Sequence, residues 1–336
     1  MWAVRVAEPG GPEQLHWEEA PDPEPGPGEV RIRIRAAGVN HRDIWVRQGN
    51  FGAFPGPVIL GSDAAGEVDK LGAGVTRWQV KDRVVVNPGL GCGTCLACLS
   101  GRDNACEQFH IMDGAYAQYW VVPEDRLTPM PSGLTFEEAA AIGVPYVTAE
   151  EAWQRAEAAP GETALIWGAT GGLGLAALQL AKVRGLRVLA VTRSAEKAER
   201  LLREGADDVL VWDGADITQD VRRRTGGSGP ELVMDSLGRA SLAMSLSVAA
   251  RGGRVITVGA TTGSRVDLEA GLIFRRRLTV IGAYLGSSAV LPRLLGLFGR
   301  GRLEPVIDAA MAMAEAAAAH RRMEQADLFG KIILVP

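Results

Sequence analysis

The chain has 336 residues, more than one compact core usually holds, so two domains are expected. Hydrophobic residues make up 47% of it and charged residues 23%, an ordinary balance for a globular enzyme. The net charge of −4 gives no support for a nucleic-acid or anionic-membrane partner. No signal-like apolar core opens the chain, and no apolar run approaches the roughly 18 residues of a spanning helix, so a cytoplasmic protein is expected.

Residues 1–125 are predicted to form a β-rich unit. Residues 30–35 alternate strictly between apolar side chains and arginine, which indicates a half-buried strand. Residues 84–86 and 119–122 are β-branched or aromatic runs bounded by glycine and proline, and they predict further strands. The proline-rich stretch over residues 21–28 is incompatible with a helix and predicts a connector.

From about Phe136 onward, predicted strands alternate with predicted helices. The strands lie at residues 164–167, 187–191, 208–211, 232–235, 254–258, 278–282 and 331–335. The helices lie at residues 136–141, 175–182, 195–204 and 309–322. This alternation predicts a parallel sheet covered on both faces, so the fold class is α/β with a doubly wound sheet.

A glycine-rich turn joins a predicted buried strand to an apolar-faced helix. After Gly168 it reads Ala169, Thr170, Gly171, Gly172, Leu173 and Gly174, an A-x-G-x-x-G form of the dinucleotide fingerprint. Small residues are needed for the tight turn, for approach of the backbone to the pyrophosphate and for close packing of the helix on the strand. The free amides at the helix N-terminus would then face the phosphates. Strand, turn, helix and second strand arrive in order, which favours a dinucleotide site over a merely structural glycine turn.

The end of the second strand bears on which cofactor is bound. An acidic residue there would bind the ribose 2′-hydroxyl of NAD, but Thr192 and Arg193 stand at this point instead. Arg193, with Lys197 one turn on, can pair with the 2′-phosphate of NADP. The sequence therefore favours NADP(H) over NAD(H), the alternative being an exposed loop arginine.

All four cysteines lie in one short segment, at Cys92, Cys95, Cys98 and Cys106. Their spacing suits four thiolates around one structural zinc ion, a closed site with no position for substrate. Two alternatives are weaker. Disulfides are disfavoured in a cytoplasmic chain, and iron–sulfur clusters show a tighter final spacing followed by proline.

The whole chain resembles the zinc-type medium-chain dehydrogenase/reductase superfamily. The resemblance rests on residues 36–43, 60–68, 81–84 and 329–334, together with the cysteine segment and the glycine turn. It implies a GroES-like β-rich catalytic domain over residues 1–125, completed by 295–336, and a Rossmann domain over 126–294. It also implies an active site in the cleft between them and assembly as a homodimer or homotetramer.

The departures from the family's alcohol dehydrogenases bear on the chemistry. Their three catalytic zinc-ligand positions correspond here to Asn40, Ser62 and Val144, which leaves no three-ligand open zinc site. The pattern instead resembles the quinone oxidoreductase branch, which has no zinc at the active site. The phenolic side chain usual in that branch is replaced by Phe51. The resemblance therefore implies reduction of a quinone or conjugated carbonyl by NAD(P)H without catalytic zinc.

The resemblance also implies roles for particular residues. Asn40 would donate a hydrogen bond to the developing oxyanion, and Asp43, Ser62 and Asp63 would line or brace the pocket. The alternatives are purely structural roles, in which Asn40 forms a turn and Asp43 pairs with a neighbouring arginine. Contacts to the cofactor are implied for His41, Thr148 and Gly259. Arg42 would also lie near the cofactor. His41 could instead be a core histidine.

Two other functions stay open. An alcohol dehydrogenase would need help in removing the hydroxyl proton, and His41, Asp43 and Asp63 are the conceivable ligands of an unusual metal site. A non-enzymatic NADPH-binding scaffold is the second alternative. The acceptor itself, a small molecule in either enzymatic reading, is not specified by the sequence.

Overall fold

A computed structural model describes residues 1–50, 54 and 56–336 of the chain. The described chain divides into two compact units. Unit one comprises Met1–Val147 and Ser287–Pro336, and unit two comprises Thr148–Gly286. Each unit has its own sheets and its own buried apolar cluster.

Strands predominate in unit one, whereas strands and helices alternate in unit two. The strands are β1 (Trp2–Val6), β2 (His16–Glu19), β3 (Glu29–Gly38), β4 (Val58–Ile59), β5 (Asp63–Leu71), β6 (Arg83–Val86), β7 (Gly89–Leu90), β8 (His110–Ile111), β9 (Tyr119–Pro123), β10 (Leu127–Pro129), β11 (Thr163–Ile166), β12 (Arg187–Thr192), β13 (Asp208–Val211), β14 (Leu232–Asp235), β15 (Arg254–Thr257), β16 (Thr279–Gly282), β17 (Ile307–Ala312) and β18 (Lys331–Val335). The α-helices are α1 (His41–Arg47), α2 (Leu96–Leu99), α3 (Phe136–Ala140), α4 (Gly143–Arg155), α5 (Gly172–Val183), α6 (Ala195–Arg203), α7 (Thr218–Arg224), α8 (Leu242–Val248), α9 (Ala270–Arg276), α10 (Val290–Phe298) and α11 (Ala316–Glu324).

The larger sheet of unit one brings together strands that are distant in sequence. Its order is β10-β6-β5-β3-β18-β17, and β9 also pairs with β3. In β3 the apolar residues Val30, Ile32 and Ile34 are buried, and the arginines between them point to the other face of the sheet, as the alternating pattern predicted. Gly38 at the end of β3 pairs with Asp63 at the start of β5, so the residues beyond these two points lie near each other.

Unit two contains one parallel sheet of six strands in the order β13-β12-β11-β14-β15-β16. The strand order reverses direction beside β11, which makes the carboxyl end of β11 the topological switch point of a doubly wound fold. The predicted strands of this unit are confirmed with small shifts at their ends, and so is the predicted α/β fold class. The glycine turn follows β11 directly.

The prediction of a helix over residues 309–322 is wrong in its first part. Residues Ile307–Ala312 form β17, and the helix begins only at Ala316. The alanine-rich sequence favours a helix by intrinsic propensity, but pairing with the buried strand β18 outweighs that small preference.

The compact units do not divide where the sequence placed the domain limits, at 125/126 and 294/295. The observed limits are Val147/Thr148 and Gly286/Ser287. The backbone amide of Val144 donates to Asp63 at 2.6 Å, which ties the start of α4 to unit one. Ser288 donates its backbone amide to Asp103 at 2.9 Å, which ties the return of the chain to unit one as well. These ties involve single polar groups, which periodicity does not reveal.

No helix in the described part of the chain is long and apolar enough to cross a bilayer.

Candidate active site and cysteine lobe

Asn40 lies at the junction of β3 and α1, where the chain leaves the large sheet of unit one. It is the residue before the first turn of α1, and its backbone amide donates to Asp43 Oδ2 at 2.8 Å. This bond satisfies one amide at the helix N-terminus. The Asn40 side chain is 9% exposed, and the neighbouring Ser62 and Asp63 are fully buried. The structure thus brings together the four residues to which sequence analysis assigned catalytic roles.

A buried lysine completes this cluster. The Lys331 ammonium on β18 donates to Asn40 Oδ1 at 2.8 Å, to Asp63 Oδ2 at 3.0 Å and to the Val39 carbonyl at 2.8 Å. Asn40 Nδ2 donates to the same Asp63 Oδ2 at 2.9 Å. A buried ion pair of this kind requires all its hydrogen bonds to be made, and here the three donors of the ammonium each have an acceptor.

Ser62 is contacted by a second cation. Arg42 NH1 donates to Ser62 Oγ at 3.1 Å, and the same guanidinium forms a bidentate pair with Asp113 at 2.6 and 2.8 Å. The Ser62 hydroxyl therefore accepts from Arg42 and keeps its own hydrogen for another acceptor. These contacts hold the Arg42 guanidinium on Asp113 and Ser62, and its closeness to the cofactor stays a prediction.

Asp43 belongs to a buried chain of polar groups behind Asn40. Tyr116 donates to Asp43 Oδ2 at 2.8 Å, and His320 Nε2 lies 3.3 Å from the same phenol oxygen. Burial raises the pKa of Asp43 to about 7 and lowers the pKa of His320 to about 3. Within the described residues Asp43 has no ion pair with an arginine, and its Oδ1 is buried without a hydrogen-bond partner.

The His41 side chain is exposed on the first turn of α1, although desolvation by the surrounding protein lowers the pKa of its imidazole to about 4, so it lies at a partly enclosed surface rather than in the core. Phe51, which replaces the phenol of the quinone oxidoreductase branch, lies outside the described residues.

In unit two the glycine turn has the local geometry that a dinucleotide requires. Gly168 has φ +64°, which only glycine adopts readily. A Cβ on Gly174 would lie 2.3 Å from the Gly168 carbonyl oxygen, so this glycine is required for packing of helix on strand. A Cβ on Gly171 would meet nothing closer than 3.8 Å, which leaves open space for a ligand. Gly171 caps the twelve-residue helix α5 without a side-chain hydrogen bond, so the helix N-terminus is open to an anion.

The other cofactor residues predicted from sequence lie along the same unit. Thr192 ends β12, and its Oγ1 accepts from the Ser194 amide at 3.2 Å. Arg193 is exposed, and no carboxylate within the described ranges pairs with it. Thr148 is buried in α4, whereas Gly259 follows β15 at the carboxyl edge of the sheet, the edge that also carries the glycine turn.

The four cysteines of unit one converge. Their Sγ atoms all lie within 4.8 Å of one another, with Cys95 Sγ 3.6 Å and Cys92 Sγ 4.0 Å from Cys98 Sγ. Tetrahedral zinc with bonds of about 2.3 Å needs sulfur separations of about 3.8 Å, so the donor set fits this metal. The Cys106 sulfur accepts backbone amides of Cys92 and Gln108 at 3.4 and 3.3 Å, as metal-bound thiolates do.

The thiols of this lobe have unequal acidity. Hydrogen bonds led by that from the Thr94 backbone lower the pKa of Cys92 to about 6, and burial raises the pKa of Cys98 to about 12. A bound cation deprotonates such thiols outright. Among the described residues no other group of three His, Cys, Asp or Glu side chains is arranged to hold a metal. His41, Asp43 and Asp63 therefore do not form the unusual metal site considered from sequence.

Family models match two segments of the chain, and named relatives match its full length. Residues 26–132 match the alcohol dehydrogenase GroES-like domain, and residues 172–300 match the zinc-binding dehydrogenase domain. A protein of Sulfurisphaera tokodaii named NAD-dependent alcohol dehydrogenase is 33% identical, with 100% of each chain covered. The quinone oxidoreductase of Rattus norvegicus is 31% identical, with 100% of this chain and 98% of that protein covered.

Solved structures of alcohol dehydrogenases also superpose on the whole chain. A crystal structure of an NAD-dependent alcohol dehydrogenase superposes with a TM-score of 0.96 at 39% identity, covering 100% of both chains. A cobalt- and zinc-bound thermostable alcohol dehydrogenase from Pyrobaculum aerophilum superposes with a TM-score of 0.91 at 35% identity, covering 100% of this chain and 99% of that one.

Sequence reasoning missed Lys331, Tyr116 and His320. Lys331 carried a usable signal, since a lone lysine opens an otherwise apolar strand. Tyr116 and His320 are 204 positions apart and meet only in the fold.

Proposed function

We propose that this chain, which belongs to the zinc-type medium-chain dehydrogenase/reductase superfamily and is an oxidoreductase, reduces quinones or conjugated carbonyl compounds without a catalytic metal. Membership of this superfamily supports a nicotinamide cofactor, a small-molecule substrate and a structural zinc, and sets aside the non-enzymatic scaffold. The observation that carries the proposal is the buried Lys331 ammonium bound to Asn40. The resemblance adds support, because it puts Asn40, Ser62 and Val144, which cannot form a zinc site, where the family's alcohol dehydrogenases have zinc ligands.

The chemistry divides between the two units. The bound dinucleotide supplies hydride, which such electron-poor acceptors take with modest polarisation of one carbonyl group. Unit two binds the pyrophosphate at the turn from Ala169 to Gly174 and contacts the nicotinamide end through Thr148 and Gly259. Unit one aligns the acceptor and donates a hydrogen bond to its oxygen from Asn40 Nδ2, and Ser62 braces the pocket. His41 contacts the cofactor from the first turn of α1.

The supporting geometry is the set of hydrogen bonds made by Asn40. Its Oδ1 accepts from the Lys331 ammonium, and one Nδ2 hydrogen is donated to Asp63 Oδ2. The second Nδ2 hydrogen has no acceptor in the described part of the chain. Such a donor suits an oxygen on which negative charge develops.

We propose NADP(H) as the preferred cofactor. The end of β12 offers the exposed Arg193 and no acid, and Lys197 stands in the first turn of α6. Relatives named NAD-dependent favour the opposite preference, so a comparison of kcat/KM for NADPH and NADH decides between the two cofactors.

We also propose a homodimer or homotetramer. The strand β16 forms one edge of its sheet, and Val280 and Tyr284 on this segment expose 41% and 53% of their surface. Analytical ultracentrifugation tests this assembly.

An alcohol dehydrogenase is the second candidate, favoured by the names of several relatives. The two candidates differ in metal requirement, because an unactivated alcohol needs its proton removed with the help of a metal. Metal analysis of purified protein separates them: one zinc per chain fits the proposal, and two zinc ions per chain fit the alcohol dehydrogenase.

The main test is a screen of NADPH and NADH oxidation with para-benzoquinone, cyclohexenone and benzaldehyde as acceptors. We expect turnover of the quinone or the enone and a loss of about 10²-fold in kcat for Asn40→Ala. Zinc content and melting temperature are measured on every sample. Wild-type kcat in Asn40→Ala with the first two acceptors would refute the assigned role, and turnover of alcohols alone would favour the second candidate.

A further inference from the structure

The Lys331 ammonium fixes which way the Asn40 carboxamide points. Its nearest acceptors include Asn40 Oδ1 at 2.8 Å, and Asn40 Nδ2 donates to Asp63 Oδ2 at 2.9 Å. An ammonium can only donate and a carboxylate can only accept. A flipped carboxamide would place its NH₂ against the ammonium and its oxygen against the carboxylate. The orientation is therefore determined by two charged neighbours.

This orientation leaves one donor of defined direction. One Nδ2 hydrogen of Asn40 is used by Asp63, and the second has no acceptor in the part of the chain that the structure describes. The ammonium withdraws electron density through Oδ1, which strengthens the N–H donors at the other end of the amide. Lys331 is 4% exposed, so water screens this effect little.

We propose that Lys331 is a positioning residue, which orients and polarises Asn40 so that the second Nδ2 hydrogen donates to the carbonyl oxygen of the acceptor. This inference rests on the proposed function. When hydride adds to the acceptor, the π electrons of the carbonyl, or of the conjugated system, move onto that oxygen. The amide stabilises the negative charge until a proton from water completes the reduced product. The nicotinamide cofactor is oxidised in the same step.

A purely structural role is the competing explanation. In that case Lys331 only neutralises Asp63, which would otherwise be a buried unpaired carboxylate. The two explanations differ for the double variant Lys331→Met/Asp63→Asn. It removes both charges and leaves no unpaired charge, and the new carboxamide oxygen can still accept from Asn40 Nδ2, although the Val144 amide then loses its acceptor. A structural role predicts recovery of activity in this variant, whereas a positioning role does not.

The turnover arm compares Lys331→Met, Lys331→Arg and the double variant with cyclohexenone or para-benzoquinone. We expect kcat to fall about 30-fold in Lys331→Met, with cofactor Kd unchanged within about twofold. Lys331→Arg, which keeps charge and donors, restores kcat to within about tenfold of wild type. The double variant regains part of the melting temperature lost in Lys331→Met but keeps the low kcat. The matched control is Lys182→Met, which removes a lysine paired with Asp207 in unit two and leaves kcat unchanged.

Recovery of wild-type kcat in the double variant would overturn the inference, and so would wild-type kcat in Lys331→Met. If Lys331→Met fails to fold, the double variant alone decides between the two explanations. A loss of kcat in Asn40→Ala without a loss of kcat in Lys331→Met would refute this inference but not the proposed function. Unchanged kcat in Asn40→Ala defeats the proposed function.

A second arm needs no turnover. The site is titrated with para-nitrophenol, whose phenolate imitates the charged oxygen and reports its ionisation by absorbance. Wild type is expected to bind the phenolate in preference to the phenol. Lys331→Met and the double variant are expected to lose at least about tenfold in phenolate affinity. Equal phenolate affinity in all of them, or no phenolate binding to wild type, would contradict the donor geometry.

Discussion

Two glycines of the same turn are expected to respond in different ways to the same added methyl group. A Cβ at Gly174 would lie 2.3 Å from the Gly168 carbonyl oxygen and 2.6 Å from the Ala169 Cα, and both atoms belong to backbone that cannot rotate away. Gly174→Ala must therefore displace the helix from the strand, at a cost of about 1–3 kcal/mol. A Cβ at Gly171 meets only the Gly168 oxygen at 3.8 Å, an ordinary contact. Gly171→Ala is expected to change stability by less than about 0.5 kcal/mol.

Nucleotide binding separates the two variants further. The open space beside Gly171 is where the pyrophosphate would approach the backbone, so Gly171→Ala should weaken NADPH binding by about 10- to 100-fold, or roughly 1.4–2.7 kcal/mol. Gly174→Ala should weaken binding and also lower the melting temperature by roughly 3–10 °C.

The assay pairs fluorescence titration of NADPH with thermal denaturation of the ligand-free protein. NADPH bound by Gly171→Ala as tightly as by wild type would refute the placement of the pyrophosphate at this turn. A melting temperature of Gly174→Ala equal to that of wild type would refute the packing argument, independently of the ligand.

Three further outcomes are expected. Arg193→Gln should raise KM for NADPH about tenfold and leave KM for NADH unchanged, as measured by steady-state kinetics, whereas the exposed Arg203→Gln should alter neither. Cys95→Ser should lower both the bound zinc, measured by elemental analysis, and the melting temperature, and an unchanged zinc content would remove the lobe as the metal site. The pKa of Asp43 is about 7 in the folded protein and 3.8 in its unperturbed state. Between these two values the Asp43 carboxyl is protonated in the folded protein and ionised in the unfolded chain. Asp43 therefore makes the free energy of unfolding fall as pH rises from about 4 to about 7. His320, with its pKa lowered to about 3, acts in the opposite direction below about 6.5, so the quantity to measure is the difference in unfolding free energy between wild type and Asp43→Asn. As pH rises, Asp43→Asn should become more stable relative to wild type. A difference in unfolding free energy that does not vary with pH would contradict the raised pKa of Asp43.

The sequence was sufficient for the parts of the fold that depend on local periodicity. The alternation in β3 and the strand–turn–helix context of Gly168 predicted both elements because burial on one face leaves a visible repeat. The alanines of β17 predicted a helix because their propensity carries no information about the strand that they pair with. The same limit applies to the boundary at Val147, because ties such as the Val144 amide bonded to Asp63 leave no change of pattern in the sequence.

The candidate site was predictable in its residue types and not in its connections. Asn40 and Ser62 stood out because the resemblance puts them where the family's alcohol dehydrogenases have zinc ligands, and Asp63 stood out because it follows Ser62. Lys331 lies 291 positions from Asn40, and its hydrogen bond to that side chain follows only from the placement of β18 beside β3. Spacing alone does not indicate which of the distant polar groups will meet.

The position of β18 has a consequence for biosynthesis. This strand follows unit two in the chain, yet it inserts between β3 and β17 in the sheet of unit one. Unit two can therefore acquire its parallel sheet on the ribosome as soon as Gly286 has emerged. Unit one has to wait with the end of β3, at Ala37 and Gly38, unpaired on one side until the last strand arrives, since β9 already covers Glu29–Arg33 on that side. Ribosome-stalled chains that stop before β18 are accordingly expected to offer that end of β3 to chaperones, even though unit two is already native.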